Sequence, residues 1–235
     1  AEAAVRQGLN ELCITDHVDT LYWDDFRPRW DFDWDEARRQ FREAQALWGV
    51  PQFAPGDDAL LRDNRCDFIG LNYYRRETVS ARPQEGLSGG EPGVEGLFYF
   101  VRNPQSTYTE WGWEIWPQGL TDGIMMIKAR YGDIPIYITE NGLGAKDPII
   151  DGEVVDDPRI DYLSSHINAL EKALEAGADV RGYYPWSFID LLSWLNGYKK
   201  QYGFVNVDHQ QNLARKRKRS FFWYQNVIAS RGEQR

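Results

Sequence analysis

Cysteine and histidine are scarce in this chain, which has two Cys and three His among 235 residues. Two cysteines cannot form the disulfide framework of a small secreted scaffold, and Cys13 and Cys66 lie in apolar, strand-like runs. We therefore expect both to be reduced core residues of a cytoplasmic protein. With so few histidines, a hydrolytic metal centre with several converging ligands is not expected, and we predict no metal and no cofactor.

Basic charge and long apolar runs are lacking as well. The formal net charge is -9 at pH 7, whereas a phosphate backbone needs a basic face, so we predict no nucleic-acid partner. No segment approaches the roughly twenty apolar residues of a membrane span, so we predict no membrane partner. Aromatic residues are plentiful by contrast, with 10 Trp and 13 Tyr. Such rings often line sugar-binding clefts, because a pyranose stacks well on them.

The most informative stretch is residues 135–142, in which a β-branched and aromatic run ends at Glu140 and the turn signal Asn141-Gly142 follows. This pattern predicts a short buried strand with a carboxylate at its C-terminal end. Ligands of α/β folds bind at such strand ends, so Glu140 is a candidate catalytic residue. Taken alone, the eight residues also fit a Glu that caps a turn or pairs with an Arg.

Strands and helices alternate along the chain, which predicts parallel βα units. Strands are predicted at 11–16, 66–74, 135–140 and 180–188, and helices at 57–64, 121–131, 161–176 and 220–229. Four strands are half of the eight that close a TIM barrel. The predicted fold class is therefore α/β, a partial TIM-type barrel that is incomplete as a single chain. The basic run 215–219 is expected to be a solvated surface stretch.

The first 48 residues differ from the rest in sequence pattern. A domain boundary is therefore predicted near Gly49, which divides the chain into segments 1–48 and 49–235. The strand and Thr15-Asp16-His17 resemble one βα unit of the polymerase-and-histidinol-phosphatase family, in which this His binds metal. The family's His-x-His motif is absent, so His17 is expected to be a relic or a hydrogen-bonded strand-end side chain.

Four motifs in residues 49–235 resemble the C-terminal part of glycoside hydrolase family 1, whose members are (β/α)8 barrels and retaining β-glycosidases. They are 68–74 (FIGLNYY), 138–142 (ITENG), 182–187 (GYYPWS) and 202–204 (YGF). The resemblance implies that Glu140 is the catalytic nucleophile and that the Tyr74 hydroxyl orients it. It also implies that Trp186 floors the sugar site, with Asn72 on the same strand face as Tyr74.

A further set of residues resembles the phosphate site of the 6-phospho-β-glycosidases in that family. Ser193 is followed by Lys200 and Tyr202 at offsets of seven and nine, and the resemblance implies that the three hold the 6-phosphate. Trp194 is more similar to the galactoside-preferring branch than to the glucoside one. Outside the family context, a Ser-Lys-Tyr set of this spacing also arises by coincidence.

The family's catalytic acid/base lies in an Asn-Glu-Pro motif, and this triplet does not occur in the chain. The sequence also starts inside a predicted helix, which is typical of a fragment or chimera. Two functions stay open: impaired hydrolysis of 6-phospho-β-glycosides, or a non-catalytic fragment that keeps a sugar-phosphate half-site. Because half a barrel leaves its inner face uncovered, we also predict a homodimer that completes an eight-stranded core.

Overall fold

The computed structural model describes residues 22–24, 27–29, 55–63, 65–80 and 99–235. The elements are, in chain order, β1 (Tyr22–Asp24), β2 (Arg27–Arg29), α1 (Asp57–Asp63), β3 (Ile69–Asn72), β4 (Thr78–Ser80), β5 (Tyr99–Val101), β6 (Thr107–Tyr108), β7 (Glu114–Ile115), α2 (Gln118–Tyr131), β8 (Ile136–Asn141), β9 (Ile149–Ile150), β10 (Glu153–Val154), α3 (Asp157–Glu175), β11 (Val180–Pro185), β12 (Val205–Asp208), β13 (Ala214–Arg217) and α4 (Arg219–Ala229). Strands β1, β2, β4 and β5 belong to one compact unit, and the other elements belong to a second. Within the first unit, β1 pairs with β2 and β4 with β5, both antiparallel.

The second unit is built on a parallel sheet in the order β11-β8-β3. Its central strand β8 has the β-branched and aromatic composition that favours a pleated, buried strand. In the register of β3 on β8, Ile69 is opposite Ile136 and Asn72 is opposite Glu140. The parallel pairing brings the carboxyl ends of these strands to one edge of the sheet, and Glu140 lies at that edge.

One face of this sheet packs against α2 and α3. The buried core residues on this side are Leu120, Ile124, Ile136, Ile138, Leu170, Ala173 and Ala178. Each buried aliphatic side chain of the Leu or Ile type contributes about 1.5–3 kcal/mol. On the other face, Gly70, Asn72 and Thr139 are exposed. Helices therefore cover one face of the sheet and leave the other exposed, as expected for part of the wall of a (β/α) barrel.

A second core cluster lies beneath the segments that follow β8 and β11. Leu143, Tyr162, Leu163 and Phe204 are buried together, with aromatic side chains of α4 packed against them. The antiparallel hairpin of β12 and β13 leads directly into α4. This cluster fixes the loop after Glu140 against the segment that contains Tyr202.

The predicted strands at 66–74, 135–140 and 180–188 are present as β3, β8 and β11, whereas the predicted strand at 11–16 lies outside the described residues. Helix α2 begins at Gln118, before the predicted start at 121. Thr121 therefore lies inside the helix, where its hydroxyl donates a hydrogen bond to the Ala169 carbonyl of α3 over 2.7 Å. The prediction that Cys66 is a core residue was wrong: it is exposed, in the segment that precedes β3.

Candidate active site

Glu140 is held by a tyrosine from the neighbouring strand. The Tyr74 hydroxyl donates a hydrogen bond of 2.5 Å to Glu140 Oε2. Tyr74 follows β3, which runs parallel to β8, so the two side chains meet at the same sheet edge. Burial, and secondly the bond to the carboxylate, raise the pKa of Tyr74. The phenol therefore stays protonated and acts as a hydrogen-bond donor to Glu140 at neutral pH.

The backbone around this pair is fixed by buried polar side chains. Tyr162 of α3 donates its hydroxyl to the Tyr74 carbonyl over 2.6 Å. Asn141 is 0% exposed; its Nδ2 donates to the Tyr73 carbonyl over 2.7 Å, and its Oδ1 accepts from the Tyr183 hydroxyl over 2.6 Å. The residue next to Glu140 thus joins all three strands. Sequence reasoning used Asn141 only as a turn signal and missed this role.

Gly142 allows the chain after Glu140 to pass close to Trp186. A Cβ at position 142 would lie 1.9 Å from the Trp186 carbonyl oxygen, so no other residue fits without a backbone shift. The Trp186 amide donates to the Asn141 carbonyl over 2.8 Å. The Trp186 side chain, which the family resemblance assigns to the floor of the sugar site, is 37% exposed. It is thus tied to the segment of Glu140 and open to solvent.

Asn72 lies at the same edge of the sheet as Glu140. Its Oδ1 accepts a hydrogen bond of 2.6 Å from the Thr139 hydroxyl, and both residues are on the exposed face. This contact orients the amide, and its Nδ2 has the chemistry to donate to a hydroxyl of a bound sugar.

Lys200 is a buried cation stacked on an indole. It is 1% exposed, and its Nζ lies 3.5 Å from the centre of the Trp113 ring and 5.4 Å from that of Tyr202. Burial, and secondly the positive charge of Arg75, lower the pKa of Lys200 to about 8. The structure therefore places the Lys200 ammonium near the rings of Trp113 and Tyr202.

The backbone after Glu140 leaves space for these two side chains. A Cβ at Gly144 would lie 2.2 Å from Lys200 Cε and 2.7 Å from Tyr202 Cε1. The next residue, Ala145, exchanges two backbone hydrogen bonds with Gln201, of 2.9 and 2.8 Å. Glycine at 144 is therefore a requirement for Lys200 to lie where it does.

Ser193 lies in a tight turn that is connected through Asn196 to Trp111, a neighbour of Lys200. Its hydroxyl accepts weak hydrogen bonds from Asn196 N and Nδ2, at 3.3 and 3.4 Å, and Asn196 Oδ1 accepts from Trp111 Nε1 at 3.1 Å. The Trp111 ring is in turn 5.2 Å from Lys200 Nζ. Trp194 is 99% exposed and faces solvent.

Three residues of this region were missed by the sequence analysis: Arg75, Trp111 and Trp113. Trp113 is the most informative of the three. Besides Lys200, its ring contacts that of Tyr74 edge-on, with the two ring centres 5.9 Å apart. It therefore connects the partner of Glu140 with Lys200. The signal that was present is the dense aromatic run at 111–116, which contains three Trp.

A buried ionic network fixes the segment of Lys200 and Tyr202. Lys218 is 0% exposed, and its ammonium donates to Asp147 Oδ2 and Asp190 Oδ1, each over 2.6 Å. Arg159 donates to Asp147 over 2.5 Å and to the Tyr202 carbonyl over 3.1 Å. The expectation that the whole basic run 215–219 is solvated was therefore wrong at Lys218, since its two acidic partners come from distant loops.

Among residues that the structure describes, no group of three or more His, Cys, Asp or Glu side chains is arranged to hold a metal ion. His17 lies outside these residues. In the same described ranges, no helix has both the length and the apolar composition for crossing a lipid bilayer.

A parallel sheet backed by helices, with a carboxylate at its carboxyl edge, is the arrangement of the (β/α)-barrel class of folds. The model of glycosyl hydrolase family 1 matches residues 25–233, and the chain belongs to this family. The match begins at residue 25, within the segment that resembles the phosphoesterase unit. That second resemblance and the boundary near 49 stay predictions.

Curated relatives of the chain include phospho-glycosidases. Aryl-phospho-beta-D-glucosidase BglC of Bacillus subtilis is 44% identical over 82% of this chain and 44% of that protein. A 6-phospho-beta-galactosidase of Streptococcus equi subsp. zooepidemicus is 43% identical over 70% of this chain and 37% of that protein. The chain thus spans less than half the length of these relatives.

Solved structures confirm the fold. A beta-glucosidase from Thermotoga maritima in complex with castanospermine has a TM-score of 0.71 at 32% identity, over 88% of this chain and 43% of that one. The same enzyme in complex with glucoimidazole has a TM-score of 0.66 at 36% identity, over 75% of this chain and 37% of that one. The fold is an incomplete (β/α) barrel, as the alternation of strands and helices predicts.

Proposed function

We propose that this chain carries the nucleophile and the phosphate-binding part of a retaining 6-phospho-β-glycosidase. The observation that supports the proposal most directly is the 2.5 Å hydrogen bond from Tyr74 to Glu140, with Trp113 in contact with both Tyr74 and the buried Lys200. A nucleophilic carboxylate and a buried cation, connected through Tyr74 and Trp113, are what a phosphorylated glycoside requires. The names of the curated relatives agree with such a substrate.

In the proposed reaction, a Glu140 carboxylate oxygen attacks the anomeric carbon and the bond to the leaving oxygen breaks. The resulting glycosyl-enzyme ester is then hydrolysed by water, which regenerates the carboxylate. The Tyr74 hydroxyl orients Glu140, while Trp186 and Asn72 hold the sugar. Such a site requires no metal.

The 6-phosphate is proposed to bind at the phosphate half-site, which consists of Ser193, Lys200 and Tyr202. Lys200 supplies the charge, and the two hydroxyls donate hydrogen bonds to phosphate oxygens. Trp194 is the proposed contact for the galacto configuration. We expect Lys200→Ala to weaken binding of glucose 6-phosphate by about 1.5–3 kcal/mol, the scale of a hydrogen bond to a charged group. Equal binding by this variant and the wild type in calorimetry would refute the half-site.

The proposed activity is impaired in this chain, because no Asn-Glu-Pro triplet supplies an acid for the leaving oxygen. We expect unactivated glycosides to be hydrolysed roughly 10²–10⁴-fold more slowly than by an enzyme with general acid catalysis. Activated aryl leaving groups need little protonation and should suffer least. The same absence favours the second candidate, a non-catalytic fragment or chimera with a residual sugar-phosphate half-site.

Nitrophenyl 6-phospho-β-galactoside separates the two candidates. The enzyme is expected to release nitrophenol, and Glu140→Gln to abolish the release. Glu175→Gln is a matched control, because this exposed carboxylate lies at the end of α3. Binding of sugar phosphate without any release would favour the non-catalytic fragment. Ordinary rates on unactivated phospho-disaccharides would mean that another carboxylate acts as the acid and that the proposed impairment is wrong.

Assembly is part of the proposal. The exposed face of the sheet, with Thr139 and Asn72 on it, is the face that a closed barrel turns inward. We propose a homodimer that covers this face, with the two Glu140 carboxylates too far apart for the 5–5.5 Å or so of a retaining pair. Light scattering should give twice the chain mass of 27.3 kDa. A monodisperse, cooperatively folded monomer would contradict the dimer.

A further inference from the structure

Arg159 places a buried guanidinium between two segments of the candidate site. It lies in the first turn of α3 and is 2% exposed. On one side, its Nη1 donates to the Leu143 carbonyl, three residues after Glu140. On the other side, Nη1 donates to the Tyr202 carbonyl over 3.1 Å and Nη2 donates to the Gln201 carbonyl over 3.3 Å. One side chain therefore connects the loop that follows the proposed nucleophile with the segment of the phosphate half-site.

Two buried carboxylates hold the guanidinium in this orientation. Its Nε donates to Asp156 Oδ2 over 3.1 Å, and its Nη2 donates to Asp147 Oδ2 over 2.5 Å. These aspartates are 1% and 7% exposed, so the charge of Arg159 is balanced inside the protein. The N–H groups that point toward the site therefore bind backbone carbonyls and are not an additional attraction for an anion.

The same two segments meet at one other backbone contact. Ala145 and Gln201 form an isolated antiparallel bridge of two hydrogen bonds, of 2.9 and 2.8 Å. A single bridge fixes the distance between the segments but constrains their angle weakly, because a ladder of several bonds is what aligns two strands. Arg159 adds an attachment at Leu143, which lies between Glu140 and the bridge. With both attachments, the angle is fixed as well as the distance.

We propose that Arg159 is a positioning residue that fixes the loop after Glu140 relative to the phosphate half-site, so that one ligand can engage both. This role rests on the proposed function and sets the geometry between its two parts. The planar guanidinium reaches both carboxylates and the three carbonyls at once, whereas a Lys ammonium has fewer donors, all on one atom. A displacement of about 1 Å between groups that act on one substrate can cost roughly 10²-fold.

A ligand that carries both binding groups tests the role without any turnover. Deoxynojirimycin 6-phosphate has a basic ring nitrogen to pair with Glu140 and a phosphate to bind at Lys200. Glucose 6-phosphate and unphosphorylated deoxynojirimycin are its two separate parts. In calorimetry with the wild-type chain, the linked ligand should bind about 10²-fold more tightly than either part, because its second contact is intramolecular. Arg159→Lys should reduce this gain by about tenfold or more, while each part binds within about threefold of its wild-type affinity.

Two controls separate positioning from a loss of stability. Because Arg159→Lys removes buried hydrogen bonds, affinities are measured at a temperature where circular dichroism shows the variant folded. Thr121→Val removes a buried hydrogen bond between α2 and α3, so it should lower the unfolding temperature and keep the gain from linking. Arg219→Lys makes the same substitution at an exposed arginine that pairs with Asp157 of α3 over 3.0 Å, and it should bind all three ligands like the wild type.

The possible outcomes distinguish the role of Arg159 from the function on which it rests. If the linked ligand gains nothing over its parts in the wild type, Glu140 and Lys200 do not share a ligand, and the proposed function fails together with the role. If the wild type shows the gain and a folded Arg159→Lys protein keeps it, the role is refuted while the function stands. If Arg159→Lys weakens glucose 6-phosphate as much as the linked ligand, Arg159 acts on the half-site alone and the role is again refuted. Should Arg159→Lys not fold, Arg159→Gln takes its place with the same expected loss.

Discussion

Protonation of His166 should destabilise the fold between about pH 6.5 and pH 4. The imidazole is 0% exposed on α3 and stacks on Tyr162 with ring centres 3.9 Å apart. Its Nδ1 is 2.7 Å from the Tyr162 carbonyl, whereas Nε2 has no hydrogen-bond partner in the described part of the chain. A second proton would therefore be placed on a buried nitrogen without an acceptor, which costs free energy.

The size and sign of the effect follow from the two pKa values. Burial lowers the pKa of His166 to about 4 in the folded protein, whereas an unfolded chain has a histidine pKa of about 6.5. Below pH 6.5 the unfolded state binds a proton that the folded state does not, so stability falls as the pH decreases. The loss is about 2 kcal/mol between pH 7 and pH 5 and roughly 3 kcal/mol at pH 4.

Urea unfolding followed by tryptophan fluorescence at pH 7 and pH 5 measures this loss. His166→Phe keeps a ring that can stack on Tyr162 but cannot be protonated, so its stability should depend less on pH by about 2 kcal/mol. His209→Gln is the matched control, because it removes an imidazole that is exposed. Equal losses in His166→Phe and the wild type would refute the reasoning.

Three further predictions concern the binding segment. Gly144→Ala should weaken binding of glucose 6-phosphate in calorimetry, because its Cβ would lie 2.2 Å from Lys200 Cε; unchanged affinity would show that Lys200 binds no phosphate from this position. Binding of the same ligand should decline as the pH rises through about 8, where Lys200 loses its charge, and a profile flat to pH 10 would contradict this. Lys218→Met should destabilise the protein by about 3–5 kcal/mol in urea unfolding, because it leaves Asp190 without its cation and Asp147 with Arg159 as its remaining one. A loss below 1 kcal/mol would mean that solvent reaches these carboxylates.

Sequence reasoning worked best where a local pattern determines the structure. The run from Ile136 to Glu140 combines β-branched residues with a turn signal, and it forms the central strand with Glu140 at the carboxyl edge. Helices α2, α3 and α4 were also predicted within a few residues of their observed bounds, because their apolar spacing is a property of the segment itself.

Sequence reasoning failed where the environment of a side chain is formed by residues that are distant in the sequence. Arg215, Lys216 and Arg217 are exposed on β13, but Lys218, which follows them, is fully buried. Nothing within this basic run distinguishes the fourth cation from the first three, because its partners Asp147 and Asp190 come from two other loops.

Trp113 shows the same limit at the candidate site. Its importance comes from contacts with Tyr74 and Lys200, which lie on opposite sides of it in the sequence. The family resemblance named both of these neighbours because each belongs to a motif. The residue that joins them lies in neither motif, and only the three-dimensional arrangement identifies it.

The two parts of the proposed function depend on different contacts and can therefore fail separately. Glu140 is oriented by Tyr74 and by the links that Asn141 makes across the sheet. Lys200 is placed by the space at Gly144 and by the buried ions around Lys218. Binding of a sugar phosphate needs only the second set, whereas turnover needs the first set and also a proton donor. A variant such as Glu140→Gln should thus abolish nitrophenol release and leave the affinity for glucose 6-phosphate unchanged, whereas Gly144→Ala should weaken that affinity first.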